Sequence, residues 1–144
     1  MIVVVAAVIE ADQRFLVTRR QPGVHLAGMW EFPGGKIDPD EAHASALRRE
    51  LREELDVDVD VGERVYHTVH AYDDRTVELH FYRCRLQGEP RPLLGQQVRW
   101  VARDELRSLS FPPADTELIK LLTTSACPEQ GRGARPERGQ GVGR

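Results

Sequence analysis

The sequence is short of cysteine, of long apolar runs, of positive charge and of internal repeats, and each shortage removes a class of protein. Two cysteines cannot build a disulfide framework, and their settings differ: Cys84 lies in an apolar strand pattern, Cys127 in a polar tail. Unpaired thiols fit a reducing, cytoplasmic location. No apolar stretch reaches the roughly 20 residues that cross a bilayer, so no membrane partner is expected. The opening run Met1 to Ile9 is short, lacks a basic leader and passes straight into charge, as a strand does and a signal peptide does not. A net charge of −3 argues against a general nucleic-acid binder, and no long nucleic acid is expected as a partner. Nothing recurs at the period of a solenoid or propeller repeat.

What is present is one domain's worth of alternating and helical patterns. A chain of 144 residues, 40% hydrophobic, is long enough to bury a single core. Val3 to Ile9 and Phe15 to Thr18 read as strands joined by the turn Ala11-Asp12-Gln13. Residues 21–40 are rich in glycine and proline around a short extended piece, Trp30-Glu31-Phe32. A loop of that length in a compact domain is usually functional or disordered, and its apolar residues favour function. Residues 41–55 contain no Gly, Pro or β-branched residue and read as a helix, with Asp38, Asp40 and Glu41 at its positive end and Leu47, Leu51 and Leu55 as its buried stripe.

Val61 to Tyr72 and Thr76 to Leu86 alternate around Asp73-Asp74 and read as a long antiparallel hairpin, with Val61, Val65 and Val69 on one face. Gln97 to Ala102 is a further strand, Arg103 to Leu109 a short helix, and Ala114 to Thr123 a last helix. This order predicts an α/β (α+β) fold, an α/β/α sandwich with a mixed sheet, over residues 1–125. From Ala126 to Arg144 no apolar cluster can offset the entropy of ordering, and a disordered tail is expected.

The chemistry concentrates between Gly35 and Val57. Glu50, Glu53 and Glu54 stand at i, i+3 and i+4, on one face of the helix at neighbour spacing. Three carboxylates so close repel one another, and a divalent cation among them offsets that repulsion. Carboxylates, hard cations and a polyphosphate together make a hydrolytic site. Arg49 and Arg52 flank the cluster and are candidates to orient it. An acidic helix face alone is more often a solvated surface, and Gly34-Gly35 alone is more often a turn.

The combination is more specific. Gly35, Glu41, Arg49, Glu50, Leu51, Glu53, Glu54 and Val57 resemble the signature of the Nudix hydrolases, with Asp56 where that family has glycine. Asp tolerates the left-handed conformation that such a glycine adopts. The resemblance extends over about residues 2–123. Phe15 to Arg20, Gly28 to Lys36 and Phe111 to Asp115 are similar to the MutT branch, which cleaves nucleoside triphosphates. It implies a site in which Glu50, Glu53, Glu54 and the carbonyl of Gly34 hold Mg²⁺ (or Mn²⁺) while Arg49 orients the acids. It also implies that Arg20, His25, Phe32, Gly35, Lys36 and Asp115 bind the nucleotide, and that water attacks the β-phosphorus to release monophosphate and pyrophosphate.

Two departures bear on mechanism and substrate. The MutT branch carries a further glutamate in a loop that here reads Pro92-Leu93-Leu94-Gly95-Gln96-Gln97, without a carboxylate. Either Glu53 serves as base, or a water relayed through Gln96 or Gln97 does. Asp115 stands where MutT has Asn; an ionised Asp only accepts hydrogen bonds, which suits an exocyclic amine such as that of cytosine. The base is therefore 8-oxoguanine or cytosine, and a non-catalytic nucleotide-binding module is the alternative that the missing glutamate raises. Short loops around 87–96 and the acidic balance weigh against an RNA-end or dinucleotide-polyphosphate hydrolase. Plainer readings accompany each residue: Asp115 also suits a helix N-cap, Phe32 a core position, His25 a polar loop, and one of Arg19 and Arg20 a solvated charge. His67, His70 and His80 on the hairpin have spacing that imitates a metal site but read as surface or core residues.

Overall fold

A computed structural model describes residues 1–124; the tail expected over 126–144 lies outside the described residues. Strands β1 (Ile2–Ala11) and β2 (Arg14–Arg19) turn at Asp12 and Gln13, whose φ values of 52° and 64° suit the turn that matches hairpin twist. Short strands β3 (Trp30–Glu31) and β4 (Gly34–Lys36) follow, then helix α1 (His43–Leu55) and the long hairpin β5 (Val59–Tyr72) and β6 (Arg75–Leu86). Strand β7 (Val98–Ala102), two 3-10 turns (Arg103–Ser108 and Pro113–Asp115) and helix α2 (Thr116–Thr124) complete the order.

The seven strands form one mixed sheet, as expected. Its path is β3-β2-β1-β6-β5, with β4 paired to β1 and β7 to β2. Strand β1 is the spine: it runs parallel to β6, from Ile2 opposite Val77 to Ile9 opposite Cys84, and antiparallel to β4, with Val5 opposite Gly35. Its alternating side chains serve two cores. Val5, Ala7 and Ile9 pack with Leu47, Leu51 and Leu55 of α1, whereas Ala6 and Val8 pack with Phe15, Phe81 and Leu118 on the α2 side. Burial on both faces is why β1 reads as an unbroken apolar run. Each fully buried leucine of the α1 stripe contributes roughly 1.5–3 kcal/mol and anchors the helix that carries the acids.

Helix α1 begins at His43, later than the expected residue 41, because Asp40 is left-handed (φ 64°) and Glu41 turns back toward Asp38. Its end is as expected: Asp56 adopts φ 52° and ψ 45° and donates its N–H to the Arg52 carbonyl. The expected valine face of the hairpin does not form. Register shifts between Val61 and Tyr66 send Val61 to the α1 core and Val65 to the opposite core, and leave Val69 51% exposed. The last helix opens as a 3-10 turn at Pro113 and becomes α-helical only at Thr116, because Pro112 and Pro113 precede it.

Candidate functional site

Arg49 organises the acidic face of α1. Its guanidinium grips Glu41 at two points (Nε to Oε2, 2.8 Å; Nη2 to Oε1, 2.9 Å), reaches Glu50 (2.9 Å) and Glu53 (3.4 Å) through Nη1, and donates to the Lys36 carbonyl (3.0 Å). The bidentate fork holds the Glu41 carboxyl down at about 2, so it stays ionised and fixes the fork in turn. Arg52, expected to share this work, pairs with Asp58 instead and leaves the cluster to Arg49. Strand β4 meets the same face with bare backbone. A Cβ on Gly35 would overlap the Glu50 carboxylate, and one on Gly34 would overlap the Val5 carbonyl. The Lys36 side chain is exposed beside them.

The acids divide by exposure. The Glu53 side chain is 60% exposed, and that of Glu50 14%. Glu54 is driven up to about 9, first by burial and then by a hydrogen bond and charge repulsion from Glu50, with Glu31 and Glu53 adding to it. A carboxyl raised by burial and then by neighbouring acids has no cation of the described residues beside it to offset them, and oxygen donors packed this way fit a hard divalent cation.

A second cluster lies across from these acids. Asp115 is 4% exposed, and burial, followed by repulsion from Glu31, raises its carboxyl to about 7. Burial therefore favours the protonated form, which donates as well as accepts, over the ionised form, which only accepts. Arg20 donates to the His25 carbonyl (2.6 Å) and to Glu31 (2.7 Å), so its fork already holds the loop and this acid. His25 packs edge-on to Tyr72 (4.8 Å), and its buried Nε2 has no hydrogen-bond partner among the described residues. Phe32, expected to line the nucleoside pocket, is 3% exposed, stacked on Phe111 (5.4 Å) and edge-on to Phe81 (6.1 Å). Its ring supports this region from the core.

Two residues escaped the sequence reading, Glu31 and Tyr72. Glu31 exerts charge on both Glu54 and Asp115 and so lies between the two clusters, its own carboxyl raised by burial. Its signal was its place beside Trp30 in an otherwise apolar strand. Tyr72, at the hairpin end, meets the Ala114 backbone and Asp115, and only the hairpin register brings it there. Gln96 is 8% exposed; it donates to the Glu54 carbonyl (3.1 Å) and accepts from the Leu94 N–H (3.0 Å). Gln97 accepts from Arg19 (3.0 Å). Gln96 is thus fixed beside the acidic helix and Gln97 to Arg19, while Glu53 is the most exposed of the three acids on α1.

Comparison with known proteins agrees with this geometry. A family model described as NUDIX domain matches residues 4–121. The chain is 38% identical over 123 residues to the CTP pyrophosphohydrolase of Escherichia coli K12, covering 85% of this chain and 91% of that one. It is also 38% identical over 132 residues to a putative 8-oxo-dGTP diphosphatase 2 of Mycobacterium tuberculosis H37Rv, covering 86% and 92%. The solution structure of the Escherichia coli ORF135 protein superposes with a TM-score of 0.77 at 36% identity, covering 88% of this chain and 91% of that one.

Proposed function

The chain belongs to the NUDIX domain family, and from that premise we propose that it is a metal-dependent nucleoside triphosphate pyrophosphohydrolase. Water attacks the β-phosphorus, the bond from that phosphorus to the oxygen bridging it to the α-phosphorus breaks, and nucleoside monophosphate and pyrophosphate leave. The observation that carries the reading is the single guanidinium of Arg49 joined to Glu41, Glu50 and Glu53, with Glu54 beside them. Mg²⁺ or Mn²⁺ held by Glu50, Glu53, Glu54 and the Gly34 carbonyl would neutralise phosphate charge and sharpen a bound water.

The chain's own groups divide the remaining work. Glu53, the most exposed of the three acids, receives the proton of the attacking water. Arg49 keeps Glu50 and Glu53 aimed at the substrate, and the bare backbone of Gly35 makes room for the Glu50 carboxylate beside it. His25, Tyr72 and Asp115 receive the base, and Lys36 meets the phosphates. The protonated Asp115 matches a carbonyl and a ring N–H together, as an amide does, which supports 8-oxo-dGTP and removal of a damaged DNA precursor. The ionised Asp115 matches an exocyclic amine, and with the cytidine-directed relative it supports CTP, dCTP or 5-methyl-dCTP as the second reading. The buried Cys84, which forms no disulfide among the described residues and whose thiol is pushed up to about 11 by burial, suits a reducing cytoplasm.

The test is pyrophosphate release on 8-oxo-dGTP, dGTP, dCTP and 5-methyl-dCTP with Mg²⁺. Glu53→Gln is expected to slow turnover by about 10²–10⁴-fold, the range for a lost proton acceptor. Wild-type rates in Glu53→Gln on every substrate would refute the mechanism. Nucleotide binding without pyrophosphate release would indicate the non-catalytic module.

A further inference from the structure

Histidines that read in the sequence as unrelated surface or core residues are brought together with an acid on the α1 face of the hairpin. His67 of β5 is the direct cross-strand partner of His80 of β6, and Glu78 is two residues before His80 on the same side of the strand. One ligand atom from each of the three lies within 4.8 Å of the others. The Glu78 Oε2 is 3.0 Å from His67 Nε2 and 3.4 Å from His80 Nε2. The imidazoles stack at 4.4 Å with 14° between planes, so both Nε2 atoms converge on one carboxylate oxygen.

We propose that His67, Glu78 and His80 form a second metal site, for a borderline divalent cation of the zinc class, separate from the carboxylate cluster on α1. The geometry argues for it. Zinc–nitrogen and zinc–oxygen bonds of about 2.1 Å in a tetrahedron separate neighbouring ligand atoms by about 3.4 Å. The two edges to Glu78 fall at 3.0 and 3.4 Å and the third, between the two imidazoles, within 4.8 Å, so the stacked rings must close and turn toward each other to seat an ion on the preformed Glu78 edges. A residue pair at i and i+2 with a cross-strand partner shares one pleated face, and the β5–β6 ladder fixes that tripod. Two imidazoles with one carboxylate select zinc over magnesium, which prefers an all-oxygen shell. His67 is exposed and opens the fourth position to water, while His80 is 6% exposed and anchored.

The surrounding groups set the ligand state. His43 of α1 packs against His80 (4.5 Å between rings), and its Nδ1 is bonded to the Tyr82 hydroxyl (2.7 Å). Arg64 opposes the ion. It lies 3.2 Å from His80 Nδ1 and, as a donor, holds the ring proton on Nε2, facing Glu78. Metal binding moves the proton to Nδ1 and requires the exposed Arg64 to swing away, so this arginine restrains the site.

The test uses the full-length protein with saturating Mg²⁺ to fill the carboxylate cluster, and titrates Zn²⁺ by calorimetry and Co²⁺ by visible absorption. One equivalent of zinc and tetrahedral cobalt bands are expected, with a melting temperature that rises with zinc. His67→Ala and Glu78→Gln alter side chains at the surface. Each is expected to weaken zinc by at least about 100-fold, beyond the loss of a mere supporting group, with Mg²⁺-driven pyrophosphate release unchanged. Arg64→Gln is expected to tighten zinc, because Gln can accept from the metal-bound ring's Nδ1–H. Absent cobalt bands, zinc binding that survives His67→Ala, or weaker zinc binding in Arg64→Gln would overturn the assignment.

Discussion

Asp115→Asn separates recognition from stability because the buried carboxyl leaves a signature in pH. The folded protein holds this proton to about 7 against an ordinary value of 3.8, whereas the unfolded chain releases it near that ordinary value. Between those values the folded state binds more protons, so stability falls as pH rises through the window and levels off above it. At about 1.4 kcal/mol per pKa unit, the shift amounts to a cost of up to about 4 kcal/mol above pH 7, of which roughly a third is already present at pH 5. Asparagine carries no such proton. Its stability relative to the wild type should therefore rise by roughly 3 kcal/mol between pH 5 and pH 8. Differences in packing between Asp and Asn cancel in that comparison. Urea unfolding of both proteins at the two pH values measures it. Pyrophosphate release on the four-substrate panel should shift in the variant toward 8-oxo-dGTP and, unlike the wild type, should show no change in base preference between pH 5 and pH 8. Parallel stability curves for the two proteins would refute the raised carboxyl and, with it, the donor role assigned to Asp115.

Further outcomes follow from the acidic face and its ends. Arg49→Lys replaces a fork that holds three carboxylates with a point charge; turnover should fall by about 10–100-fold, and the Mg²⁺ needed for half-activation should rise. Gly35→Ala forces its Cβ into the Glu50 carboxylate, so metal activation should weaken while thermal unfolding shows a folded protein. Asp56→Gly relieves a left-handed residue at the end of α1 and should stabilise the protein by about 0.5–1 kcal/mol in chemical denaturation, with kcat unchanged.

Much of this arrangement was legible because it is local. The spacing of Glu50, Glu53 and Glu54 fixes a shared helix face, Leu47, Leu51 and Leu55 fix the opposite one, and Asp56 keeps its left-handed role despite replacing glycine. Long-range facts were not legible. The register shifts near Arg64 reassign the hairpin's faces, and a period-two reading carries no signal of an inserted residue. Glu31 gains its importance from elements more than 20 residues away in either cluster, Glu54 and Asp115, and no spacing rule reaches that far. Arg52 has the same local credentials as Arg49, and only the fold sends it to Asp58. The ionisation of Asp115 depends on burial, which a residue type does not state.

Strand β4 is a spacer of minimal thickness. At Gly34 the chain presses on a β1 carbonyl, and at the next residue it presses on an acid of α1, with no atom to spare on either side. The distance between sheet and helix is therefore set by polypeptide backbone, the one dimension that exchange of side chains cannot tune. The surroundings of Asp115, built from side chains, can change by substitution, while the gap that aligns the acids is held to a single value.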